Sequence, residues 1–288
     1  VDEARAHGQL TDYPAALMAL HDALPRAQAL ADEGPLATVE FMLGNIHGRL
    51  REWTESEFWH RKSLERKRRI GAHDSYAPLA GLAFAAHQRG DHAAAKAGYT
   101  EALELAREHG GFREISEMLH GLAMARMQLG EQEEAIRNLR EAVELRERMG
   151  DPYYLANSLV ELGAAVRKTG DMGEADALLA RAVPLAERAG SARILTAAYR
   201  EVAKAAAERG EWQTAYEFYQ KFHDASRREL DDMRAQKAAM LTARFEVAQS
   251  EQQIAALTKQ HELEAAGRSR AEWMRNFFLT IGVAAAVT

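Results

Sequence analysis

The chain has 288 residues, 47% of them hydrophobic and 28% charged, with no Cys. This length suits two domains of about 150 residues or one elongated repeat array, and the missing Cys excludes a disulfide scaffold, a thiolate zinc site and a cysteine nucleophile. A net charge of -6, from 37 basic against 43 acidic residues, leaves no global basic footprint of the kind that binds nucleic acid.

From the start, Val1 in place of an initiating Met marks a fragment or a processed product. A turn position then recurs at Thr11, Arg51, Gly90, Gly130, Gly170 and Gly210, at intervals of 40, 39, 40, 40 and 40 residues. Five residues after each marker stand Ala16, Ser56, Ala95, Ala135, Ala175 and Ala215, and four further on Leu20, His60, Tyr99, Leu139, Leu179 and Tyr219. Ala23, Ser63, Ala102, Ala142, Ala182 and Phe222 follow, and pairs such as Leu43-Gly44, Leu122-Ala123 and Leu162-Gly163 precede the markers. Small residues recur where helices approach closely and large apolar ones where the next helix is met. Gly71, Gly110, Gly150 and Gly190 fall midway between markers, so each repeat is two helices, closed by a left-handed residue and often restarted by an acidic one. Pro184 should bend the second helix of its repeat. No β-branched run alternates at period two, so strands are not expected.

The stretches Leu122 to Val143 and Leu162 to Val183 carry Leu-Gly or Leu-Ala, Gly, Ala, a large apolar residue and Ala in the order of tetratricopeptide repeats. The resemblance covers about residues 1–222 and weakens early, where Arg51, Ser56, His60 and Ser63 depart from the pattern. It implies an all-α, right-handed solenoid of about six helix pairs whose first helices line a concave groove for a peptide or protein. The family's groove positions, carried onto this chain, include Phe41, Asn45, Phe84, His87, His120, Met124, Met127, Asn157, Arg167, Arg200 and Lys204. Such a groove is aromatic and Met-lined in its middle and cationic toward its C-terminal end, where Arg167, Arg200 and Lys204 either receive an acidic ligand group or pair with Glu201 and Glu208.

No phosphate loop, GxGxxG fingerprint or GxSxG elbow occurs, and no HExxH; His87 and His92 lie five apart across a turn. No catalytic residue, cofactor or metal site is expected. The basic run Arg61, Lys62, Arg66, Lys67, Arg68 and Arg69 is either a solvated outer face or a contact for anionic lipid or an acidic partner.

From Lys221 to about Ala266 there is neither Gly nor Pro, so one long helix is expected over 223–270. Heptad-like spacing at Val247, Ser250, Ile254 and Leu257 suggests a coiled coil and a homodimer through the C-terminal helix. The uncharged run Phe277 to Thr288, preceded by Trp273 and Arg275, reads as the beginning of a transmembrane helix over 271–288.

The stretch Ala238 to Ala266 followed by that run resembles the connector of bacterial membrane signalling proteins. That resemblance implies a sensor, generally periplasmic at the inner membrane, and an output domain outside this fragment: a GGDEF diguanylate cyclase making cyclic di-GMP, or less often a histidine kinase. A cytoplasmic scaffold anchored by its apolar end is the alternative.

Overall fold

The computed structural model describes residues 13–30, 32–235 and scattered positions up to 252. The backbone groups into two units, residues 1–239 and 240–288, and the helices named below lie in the first. They are α1 (Tyr13–Gln28), α2 (Glu33–Arg49), α3 (Trp53–Arg69), α4 (Tyr76–Gln88), α5 (His92–His109), α6 (Phe112–Gln128), α7 (Gln132–Met149), α8 (Pro152–Thr169), α9 (Met172–Ala189), α10 (Ala192–Glu208) and α11 (212–235). No strand occurs among the described residues.

Within a repeat, α2 packs on α3, α4 on α5, α6 on α7 and α8 on α9; each second helix also meets the first helix of the next repeat. First helices touch one another, α2 with α4, α4 with α6 and α8 with α10, and so form one layer. This is a tetratricopeptide-like solenoid. Its core is continuous through the later repeats, where Leu139, Leu159, Leu162, Ala175, Ala182, Ile194 and Ala198 are buried together. The small residues of the sequence pattern are where helices cross: Ala95, Ala135 and Ala175 have no exposed surface.

The departures in the second repeat keep the packing by other means. Ser56 donates to the Gly44 carbonyl at 2.8 Å and Ser63 to that of Ala37 at 2.7 Å, so the hydroxyls bond the facing helix instead of leaving orphaned groups. Arg51 occupies the glycine marker and adopts φ 58°, the one non-glycine in that region among the described residues. Gly110 corrects the expectation for the midway glycines: it is extended, with φ -95° and ψ 175°, while Gly71, Gly150 and Gly190 are left-handed. Asp91 and Asp171 cap α5 and α9 through their side chains, as the dipole argument requires. Helix α9 runs unbroken through Pro184 to Ala189.

Second helices are tied by an outer ladder of ion pairs 33 or 34 residues apart, Arg68–Glu101, Arg107–Glu141, Arg140–Glu174 and Glu147–Arg181, and Arg209, in the turn after α10, reaches back to Asp176 on α9 at the same offset. The basic run of α3 is consumed within the chain. Arg66 grips buried Glu40 at 2.9 Å, Lys67 meets Asp74, Arg69 reaches Glu33, and Lys62 lies over Phe58 at 4.6 Å. Among the described residues no helix is long and apolar enough to cross a membrane. The expected heptad positions Val247, Ser250, Ile254 and Leu257 and the apolar run 277–288 lie outside the described residues.

Candidate functional site: the layer of first helices

At the N-terminal end the layer is aromatic. Phe41 is half-buried on α2, 5.6 Å from the His60 ring and 5.3 Å from the Lys67 ammonium. Asn45, one turn on, is exposed. Phe84 on α4 is 43% exposed and meets Trp53 edge-on at 5.8 Å. His87 has its Nδ1 3.3 Å from that of His92; burial and then the neighbouring imidazole push its pKa down. Among the described residues no group of three or more His, Cys, Asp or Glu could hold a metal ion.

In the centre, side chains from three repeats form one polar chain. Arg193 on α10 donates to Tyr153 Oη and Asn157 Oδ1, each at 3.3 Å. Asn157 on α8 has its Nδ2 3.2 Å from His120 Nε2. An amide nitrogen can only donate, so Nε2 accepts and the imidazole proton sits on Nδ1, 3.5 Å from Ser158 Oγ. Burial, then Arg146 and Arg193, push the His120 pKa down to about 3, which keeps the ring neutral. Behind it Arg146 is 2% exposed and donates to the Tyr154 carbonyl at 3.0 Å. Burial lowers its pKa to about 10, so it stays charged and tethers α7 to α8. Met124 is half-buried on α6, and Met127 packs against the core beneath.

Two carboxylates in this layer are poorly compensated. Glu117 on α6 and Glu161 on α8 have raised pKa values, burial being the largest cause in each. Arg146 and Arg113 near the first, and Arg193 near the second, counter part of that rise.

At the C-terminal end three cations converge on Glu201, which is 4% exposed. Arg167 reaches it from α8 at 3.1 Å and also meets Glu208; Arg200 Nε and Lys204 Nζ reach it at 3.1 Å each. Burial raises the Glu201 pKa, but hydrogen bonds from Lys204, Arg200 and Arg167 outweigh it and hold the carboxyl below its ordinary range. Of the three cations Arg167 is the least accessible, its side chain 10% exposed, while Arg200 and Lys204 are half exposed.

The structure thus joins His120 to Asn157, and gathers Arg167, Arg200 and Lys204, whereas Phe41 turns to His60. The repeat projection passed over Tyr153, Glu161 and Arg193, which lie off its chosen positions, and Arg146 and Ser158, which lie behind them. The 34-residue offset between Arg167 and Glu201, shared with the outer ladder, is the signal that links them.

A family profile described as Tetratricopeptide repeat matches residues 74–148 and 114–188, so this stretch carries tetratricopeptide repeats. Similar solved structures include BtubC (BKLC) from P. vanneervenii, 18% identical with a TM-score of 0.63, covering 76% of this chain and 92% of that one. A Rap protein complexed with Competence and Sporulation Factor is 14% identical with a TM-score of 0.61, over 80% and 74% of the two chains. A signal transduction ATPase with numerous domains from Pyrococcus horikoshii, which has a tetratricopeptide repeat sensor, is 16% identical with a TM-score of 0.58, over 87% of this chain and 43% of that one. At these identities the likeness concerns the fold. No curated protein sequence matches the chain.

Proposed function

We propose that the chain is a sensor module that binds an extended peptide or protein segment along its first helices, with an acidic ligand group at the Arg167, Arg200 and Lys204 end. The observation that carries this reading is the shared hub at Glu201. Three cations meet one buried carboxylate, with Glu208 the second partner of Arg167 alone, so positive charge is left in excess beside two half-exposed cationic side chains. Arg193 lies nearby as well, donating to neutral oxygens and facing the Glu161 carboxyl, which offsets its charge in part. A carboxylate arriving there gains charge-assisted hydrogen bonds of roughly 1.5 to 3 kcal/mol each. Phe84 and Met124 would hold apolar ligand groups. The Rap protein's complex with Competence and Sporulation Factor and the archaeal sensor are similar folds put to ligand binding and sensing.

Arg167 alone carries the pairing of Glu201 from α10 across to α8, so a ligand group that also draws on Arg167 changes that junction and, through α10, the seat of α11. Such a ligand shifts the solenoid only by its differential affinity for the two arrangements. The relay runs along the C-terminal helix to a membrane-linked output, a GGDEF diguanylate cyclase by resemblance, with the solenoid in the periplasm.

Calorimetric titration with acetylated peptides pairing Phe with Asp or Glu tests the groove. Arg200→Glu with Lys204→Glu should weaken an acidic binder at least about tenfold. Unchanged affinity removes these residues from the site, and a panel without binders removes the acidic-peptide reading. Alkaline phosphatase fused to the solenoid, active only when exported, tests its sidedness.

A further inference from the structure

The ninth residue after each marker is the knob that a second helix drives between its own first helix and the next. His60, Tyr99, Leu139 and Leu179 are 2%, 7%, 0% and 1% exposed there. A Cβ at Gly81 would stand 2.4 Å from the His60 ring, and one at Gly121 2.4 Å from Tyr99, so the contact with the following helix is close. Tyr219 on α11 occupies the same register and is 56% exposed. The surface that the four preceding repeats cover is open here.

The opening is longer than one repeat. Trp212, Tyr216, Tyr219, Leu230 and Met233 are all exposed on α11. With His223 and Ser226 between them they follow alternating steps of four and three, the spacing of a two-helix seam. From 212 to 233 the stripe runs about 32 Å. The first helices α2, α4, α6, α8 and α10 have 13 to 18 residues, so a helix of that kind seated at Tyr219 would leave Leu230 and Met233 uncovered. The occupant has to be a helix as long as α11.

The geometry points to a second copy of this chain, its α11 lying parallel and in register against the first. The flanking charges select that direction. In a parallel seam Glu229 of one copy faces Arg234 of the other, five residues on; in an antiparallel seam Arg227 and Arg234 face each other and repel. Arg234 now stands 3.5 Å from Asp231 in an exposed pair, an interaction weak enough to exchange. His223 and Ser226 form a polar layer between two apolar ones, which fixes the register.

A chain without Cys makes the test direct. Ser226→Cys and Met233→Cys, made separately in the full chain and oxidised, should each give a disulfide-linked dimer, because both positions face their own counterparts in a parallel seam. Crosslinking at only one of them, as an antiparallel crossing would give, overturns the proposal. Sedimentation equilibrium should show a wild-type dimer, weakened about tenfold or more by Tyr219→Glu with Leu230→Glu. It should be weakened also by Glu229→Arg and restored by Glu229→Arg with Arg234→Glu. These side chains are at the surface, so circular dichroism should stay that of the wild type. A monomeric wild-type chain, or a dimer indifferent to all these changes, refutes the seam.

Discussion

His60 offers a measurement of what a polar residue costs in the place of a core leucine. It sits 2% exposed between Gly44 and Gly81, and its Nδ1 has no hydrogen-bond partner. Burial lowers its pKa to about 4, against about 6.5 in the unfolded chain. His60→Leu should fit, because Leu179 packs in the same way against Gly163, with a Cβ there 3.0 Å from the leucine. At about pH 7.5 the ring is neutral in both states, and the variant should gain about 1 to 3 kcal/mol from removing the orphaned nitrogen. As pH falls the unfolded chain binds a proton that the folded chain refuses, so wild-type stability declines between about 6.5 and about 4 and levels off below. At about pH 5 that linkage amounts to about 2 kcal/mol, added to the advantage of the variant. Urea unfolding followed by circular dichroism at both pH values reads the difference, in which the other histidines cancel. A variant less stable than wild type at about pH 7.5, or an advantage that does not widen at about pH 5, would refute the account of His60 as a neutral, unsatisfied knob.

Other perturbations probe the remaining features. Glu201→Gln should cost about 1 to 3 kcal/mol in thermal or urea unfolding, since it removes one of the two carboxylates that Arg167 meets and leaves only Glu208, and should tighten acidic peptides; loss of peptide affinity would mean that the carboxylate itself contacts ligand. Gly121→Ala should cost about 1 to 3 kcal/mol, because its Cβ would lie 2.4 Å from the Tyr99 ring. Gly163→Ala, at 3.0 Å from Leu179, should cost less, helped by the better helix propensity of Ala; equal losses at the two sites would contradict the close-approach argument. Arg51→Gly should add about 1 kcal/mol by relieving a left-handed non-glycine residue, and a lowered melting temperature would show that the Arg51 side chain contributes more than its backbone costs.

The helical pairing was legible in the sequence because one physical requirement, a small residue facing a large one at each crossing, repeats every 40 residues. Leu139 and Leu179 sit where that spacing puts them and are buried. The same rule does not reveal how an exception is accommodated. Ser56 and Ser63 look like defects in the pattern until their hydroxyls are seen to bond the facing carbonyls, a matter of angle and distance rather than residue type. Gly110 escaped for a related reason: a glycine permits a left-handed turn without requiring one, and here the backbone reaches α6 in an extended form.

The charged part of the candidate site was less legible, because periodicity tells which face a residue occupies and not which charge it finds there. Arg167, Arg200 and Lys204 were placeable on one layer from the repeat. That all three close on one carboxylate depends on Arg167 reaching from α8 across to α10. The consequence is mechanical as well as electrostatic. Arg200 and Lys204 lie on α10 beside Glu201 and only Arg167 crosses from α8, so a ligand group would loosen the contact between the two repeats by drawing on Arg167 and would leave it intact by drawing on Arg200 or Lys204 alone.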